Sequence, residues 1–229
     1  MIVFTDYKVA ALLSLLIAET VALVVWWHYN RKRRSCIHPY EHEELLQYIR
    51  YVFDSPTEMT YEVVEACRVT QPILAAFPVK LMWSGRGSAK VRSAFFASEI
   101  QLTSDGQSGE LTFDIPLPEP KRFGESLIVQ YAVDLKDVGQ QNVPKLSKSV
   151  RRPCGLLVFE AVLKHRTACP PAQLIWLPLD NPSHLRLPTK ISDVPFDLAT
   201  HSFRAVVAAP VLGRSYQLIW SPNELPGNV

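Results

Sequence analysis

Five consecutive residues, His38-Pro39-Tyr40-Glu41-His42, match the letters of the H-x-x-E-H zinc-peptidase motif. That chemistry needs both imidazoles on one helical face, with the carboxylate as general base inside a cleft. Pro39 puts a helix start within the motif, which predicts His38 outside the helix, and a helix start explains the same letters without a metal. Asp180, Ser183 and His184 crowd a proline-bounded loop. A catalytic triad converges from separate elements, so a solvated turn is the ordinary reading of three neighbours. The chain has no G-x-S-x-G and no cysteine beside a patterned histidine.

Gly85-Arg86-Gly87-Ser88-Ala89-Lys90, followed by Arg92, combines two glycines, a serine and three cations. Backbone N–H groups in such a segment can cradle an anion. The segment lacks the Gly-Lys-Ser/Thr ending of a P-loop, and a glycine-rich hairpin accounts for it equally. Arg86, Ser88, Lys90 and Arg92 are therefore the candidate ligand residues. With Lys145, Lys148, Arg151 and Arg152 they would form a basic rim. No catalytic residue, no metal and no cofactor is expected. Cys36, Cys67, Cys154 and Cys169 lie far apart without a C-x-x-C pair, which suits reduced, buried thiols.

The element that would position all of this is the apolar run 9–27, with a single charge at Glu19. Nineteen residues at about 1.5 Å each reach roughly 28 Å, close to the hydrocarbon core of a bilayer. Trp26, Trp27 and Tyr29 supply an interfacial belt. Arg31, Lys32, Arg33 and Arg34 follow the run and Lys8 precedes it, so the positive-inside rule predicts an external N-terminus and a cytoplasmic body. The charges follow the apolar run with no small-residue cleavage site, the reverse of a signal peptide. Ala10, Ser14, Ala18 and Ala22 recur every four residues with Glu19 beside them. Such a ridge suits a helix–helix contact, with a second copy or another membrane protein. An inverse topology would make the body an envelope module with paired cysteines.

Five of the 24 basic and two of the 22 acidic residues lie in 1–34, leaving 19 and 20 for the remainder. A near-neutral body argues against nucleic acid as a partner. The basic cluster suits anionic lipid headgroups instead.

Residues 39–53 predict a short amphipathic helix: Pro39 and the glutamates at its start, then Leu45, Leu46, Tyr48, Ile49, Val52 and Phe53 on one face. Beyond residue 57 the texture changes to short β-branched and aromatic runs cut by Pro and Gly. Strands are expected near 60–69, 78–84, 91–103, 109–115, 126–135, 155–164, 172–177, 202–208 and 214–220. Leu111, Phe113 and Ile115, and again Val129, Tyr131, Val133 and Leu135, alternate with polar residues as in sheets with one wet face. Pro116, Pro118 and Pro120 predict an extended connection, and the polar stretch 136–153 a loop or linker. Gln173-Leu174-Ile175-Trp176 recurs at Gln217-Leu218-Ile219-Trp220, a repeat that chance or a duplicated sandwich would give.

The expected architecture is mainly β: a membrane anchor at 1–34, a helical connector at 35–56, and an antiparallel β-sandwich-like body at 57–229, as one sandwich or two divided near 136–153. The expected function is a single-pass, non-catalytic binding or interaction module that assembles at the membrane. The alternatives are a cytoplasmic sensor of an anionic or nucleotide ligand that switches the span, and a membrane-tethered hydrolase using 38–42 or 180–184.

Overall fold

The computed structural model describes residues 41–93, 96–102, 109–179 and 188–220, and these are mainly β, arranged in several sheets. The strands are β1 His42–Phe53, β2 Glu58–Val69, β3 Ile73–Met82, β4 Gly87–Ser93, β5 Phe96–Ile100, β6 Glu110–Arg122 and β7 Ser126–Asp137. They continue with β8 Lys145–Val150, β9 Cys154–Leu163, β10 Ala172–Pro178, β11 Thr189–Val194, β12 Ser202–Ala208 and β13 Arg214–Ile219. Seven strands form one sheet in the order β12-β9-β1-β2-β7-β4-β5. Four form a second, β11-β10-β13-β8, and β3 pairs with β6 in a third. All pairings are antiparallel except β1 with β9.

The helix expected over 39–53 is a strand from His42 onward, and it lies inside the largest sheet. Its apolar residues satisfy a helical stripe, but Ile49, Tyr51 and Phe53 also alternate, and all three are buried. Two neighbours, β2 and β9, offer backbone partners along its length. A tertiary environment of that kind overrides a weak local preference. The polar stretch 136–153 is not a linker either. It holds β8, whose Leu146 and Val150 are buried in the same core as Val133 and Phe159 of the large sheet.

Alternation is obeyed closely where it was expected. Leu127, Val129, Tyr131, Val133 and Leu135 point inward on β7, and Leu111, Phe113 and Ile115 on β6. Full burial of such a side chain contributes roughly 1.5–3 kcal/mol. Phe77 and Phe113 of the smallest sheet and Leu174 and Leu218 of the four-stranded sheet join the same continuous core. The prolines at 116, 118 and 120 fall within β6, which has a ladder neighbour on one side only. Pro118 and Pro120 sit where the ladder with β3 is interrupted, between the Ala76–Pro116 and Leu74–Lys121 pairs, so their missing N–H groups cost no pairing. The repeated tetrapeptides are neighbours: β10 and β13 pair antiparallel with Leu174 opposite Leu218, both buried.

Candidate functional site

The ladder of β1 slips between Glu44 and Leu46, where an extra residue bulges against β2. Such a bulge re-aims the side chains on either side of it. Here His42 and Glu44 before it, and Gln47 after it, are all buried. The bulge needs a close neighbour without a side chain. A Cβ on Gly155 of β9 would lie 2.6 Å from the Leu45 carbonyl oxygen.

Around these three residues a buried polar cluster forms. On β2, Glu65 and Cys67 share the inward parity of Val63 and Val69, and all four are buried. Glu65 accepts from Gln47 Nε2 at 2.8 Å and sits 3.1 Å from His42 Nε2. Lys148 of β8 donates from Nζ to Glu44 Oε1 at 2.9 Å. Arg152, in the β8–β9 connection, places Nε 3.6 Å from the same oxygen and Nη1 3.0 Å from His42 Nδ1. Phe77 of β3 packs on the imidazole with ring centroids 4.7 Å apart. Two carboxylates, two cations and a histidine thus meet where all three sheets contribute.

Arg152 Nη1 lies 3.0 Å from Nδ1 and 2.6 Å from Nε2, so the cation lies against the ring and reaches both of its nitrogens. A guanidinium only donates, so either tautomer of the ring has its lone pair within reach of Arg152.

His42, Glu65 and Cys67 each place one ligand atom within 4.8 Å of the others, the separation a metal centre would require. The chemistry of the set does not suit a metal. The Arg152 cation lies within hydrogen-bond distance of both imidazole nitrogens, and both oxygens of Glu65 are engaged. Burial, reinforced by Glu65 and Glu44, pushes the Cys67 thiol up to about 12, whereas a ligand or nucleophile needs the thiolate. Cys154 is pushed up to about 11 for the same reasons, burial first and Glu44 next. The arrangement is a charge-compensated lock between sheets.

Of the motif at 38–42, only Glu41 and His42 are described, and His42 belongs to this cluster on a strand. Asp180, Ser183 and His184 lie outside the described residues, as do Ala10, Ser14, Ala18, Glu19, Ala22, Arg31, Lys32, Arg33, Arg34 and Cys36.

The glycine-rich segment opens β4. The Arg86 N–H donates to Asp137 Oδ1 at 3.0 Å, and the Arg86 carbonyl accepts from Val138 at 2.8 Å. Asp137 is fully buried and also accepts from the Asn142 N–H at 2.6 Å, so it ties the two loops together. Gly87, at φ +150°, would place a Cβ 1.9 Å from the Lys136 carbonyl oxygen, which explains the glycine without a phosphate. Ser88, Lys90 and Arg92 project from the exposed face of the large sheet. Arg92 grips Asp134 through two hydrogen bonds of 2.7 Å, which lowers the Asp134 pKa from its ordinary value. The segment places Ser88, Lys90 and Arg92 together on β4 with Arg86 just before it, but the amide of Arg86 is already used by Asp137.

The same exposed face carries a cross-strand row of charges. Arg204 on β12 pairs in register with Glu160 on β9, then Arg50 on β1, then Glu62 on β2. Arg50 lies 3.1 Å from Glu160 and 3.2 Å from Glu62, and the Tyr48 hydroxyl donates to Glu160. Burial and that carboxylate push Tyr48 up to about 12.

Sequence reasoning passed over Glu44, Glu65, Lys148 and Arg152 as cluster members. One signal was present: Glu65 occupies an inward position in an otherwise apolar alternation from Met59 to Val69.

No protein-family model matches the chain, and no curated protein matches it. Among solved structures the chain is similar to a two-domain M1 zinc metallopeptidase bound to L-tryptophan, at 11% identity and TM-score 0.39, covering 76% of this chain and 44% of that one. It is also similar to the M1 zinc metallopeptidase from Deinococcus radiodurans, at 11% identity and TM-score 0.38, over 74% and 42% of the two chains. A third likeness is to a putative protease from Parabacteroides distasonis ATCC 8503, at 7% identity and TM-score 0.43, over 78% and 40%. The chain spans less than half the length of these structures, and likenesses this slight support no argument about fold or activity.

Proposed function

We propose that the chain is a membrane-anchored, non-catalytic interaction module. The apolar run 9–27 spans the bilayer, Arg31, Lys32, Arg33 and Arg34 meet anionic headgroups on the cytoplasmic side, and a sandwich-like β body presents contact surfaces there. The ridge of Ala10, Ser14, Ala18 and Ala22, with Glu19 beside it, pairs the span with a second copy or another membrane protein. One observation carries the non-catalytic part: His42, Glu44 and Glu65 are buried, Arg152, Lys148 and Gln47 engage them, and the one oxygen left over, Glu44 Oε2, is itself shut away from solvent. A catalytic group needs access to substrate and a free proton or lone pair. The anchor rests on the sequence of 9–34. Among the described residues no helix is long and apolar enough to cross a membrane.

Protease protection in sealed, right-side-out vesicles, combined with maleimide labelling, tests the reading. The body should resist external protease, and Cys169 should label only after permeabilisation. Digestion of the body from outside overturns the cytoplasmic placement. Extraction of the whole chain by high salt or alkaline carbonate overturns the anchor.

A further inference from the structure

The outer edges of the sheets are not alike. Native sheets blunt their edges with prolines, bulges, lysines or short strands, because an open edge pairs with any extended chain. In the two-stranded sheet, β3 carries Pro78 and a register shift, and β6 carries three prolines. In the four-stranded sheet, β11 is bulged against β10, and β8 carries Lys145 and Lys148. At one end of the large sheet, β5 has five residues and a shifted register with β4. At the other end, β12 has seven residues, SFRAVVA, in unbroken register with β9 and without proline or lysine.

The hydrogen bonds tell which of its groups face outward. His201 accepts from Leu163 and Ala209 donates to Gly155, so odd positions bond inward to β9. Ser202 exchanges both of its backbone bonds with Asp197 on the outer side. Antiparallel pairing alternates, so Arg204, Val206 and Ala208 direct N–H and C=O away from the sheet. Among the described residues nothing pairs with these groups. Val206 is 55% exposed, and Leu198, Val211 and Leu212 on the flanking turns are exposed as well.

We propose that this edge pairs with the same edge of a second copy, antiparallel and centred on Val206, joining two seven-stranded sheets across a two-fold axis. The register follows from the strand itself. Centring on Val206 sets Val206 against Val206, and Arg204 of each copy against Ala208 of the other. All three outward residues then exchange both backbone bonds. The two arginines stand apart, each near Glu160 of its own sheet, so no like charges face each other. Centring on Ala205 would instead direct Ala208 at Ser202, whose backbone groups Asp197 already holds. The interface is isologous, as a two-fold dimer requires. The inference deepens the interaction-module reading by naming a second copy as the partner, and holding both copies in one membrane plane would favour it.

The test uses the full chain in detergent and in liposomes, with Cys36→Ser and Cys169→Ser as background. Val206→Cys should give a covalent dimer with a short bis-maleimide, and Ile128→Cys, on β7 and more exposed still, should not. Hydrogen exchange over 202–208 should slow as protein concentration rises. That slowing should be lost in Val206→Lys, which sets two ammonium groups face to face and should match the parent's melting temperature at low protein concentration, where both are monomeric. Absence of the Val206→Cys dimer, equal cross-linking at both positions, or unchanged protection in Val206→Lys overturns the inference. A chain that stays in the membrane fraction without cross-linking at 206 refutes this pairing alone. A chain that cross-links at 206 but leaves the membrane with salt refutes the anchor alone.

Discussion

Replacing Lys148 by Met tests whether the cluster beneath the β1 bulge is a dry, compensated lock. Glu44 is 4% exposed and would lose its 2.9 Å partner, keeping only Arg152 at 3.6 Å. Removing one member of a buried ion pair costs about 3–5 kcal/mol, because the survivor stays desolvated. Arg152 remains and the Lys148 side chain is itself 20% exposed, so the lower end applies, about 3 kcal/mol. In a protein of this size about 1 kcal/mol moves the melting temperature by roughly 2–4 °C, so the variant should melt about 6–12 °C lower. Lys136→Met is the control. It breaks a 3.2 Å pair with Glu58 whose two side chains are 67% and 56% exposed, and such surface pairs contribute about 0–1 kcal/mol. Adding Glu44→Gln to Lys148→Met should recover part of the loss, since the stranded charge is gone. Differential scanning calorimetry of the parent, the two single variants and the double variant reads all of this. If Lys148→Met melts with Lys136→Met, the cluster is hydrated, and its closure to substrate or metal fails as an argument.

Three further outcomes follow from the same geometry. Gly155→Ala should destabilise by about 1–3 kcal/mol, as overpacking does, because its Cβ meets the Leu45 carbonyl at 2.6 Å; chemical denaturation should show this, and an unchanged midpoint would refute the bulge contact. Asp134 has a lowered pKa through Arg92, so the pair's contribution is present above the usual carboxylate range and lost as pH falls through the folded value. Acid titrations of stability should therefore be flatter in Asp134→Asn than in the parent, and coincident curves would show that the fork contributes nothing. Cys67 and Cys154, with thiols pushed up to about 12 and about 11, should resist maleimide at neutral pH until the protein unfolds, whereas the partly exposed Cys169 reacts first. Mass spectrometry of labelled peptides checks this order, and early labelling of Cys67 would reopen the metal or nucleophile reading.

The β character of the body is legible in the sequence, because side-chain alternation is a local property of a pleated strand. β2, β7, β9, β10, β12 and β13 stand close to where β-branched and aromatic runs placed them. The sequence could not place β1, since HEELLQYIRYVF satisfies a helical stripe and an alternation together, and only the neighbours β2 and β9 decide between them. Nor could it place β8, whose lysines read as loop until Leu146 and Val150 find the shared core. The cluster was still less legible. Glu44 and Lys148 are 104 residues apart, and their meeting depends on a bulge that shifts parity by one residue and on a glycine across the ladder that admits it. The edge of β12 lies between these cases. Its residues were read correctly as a strand, but a strand becomes an edge only when the sheet order is known, because being last in a sheet is decided by every other strand.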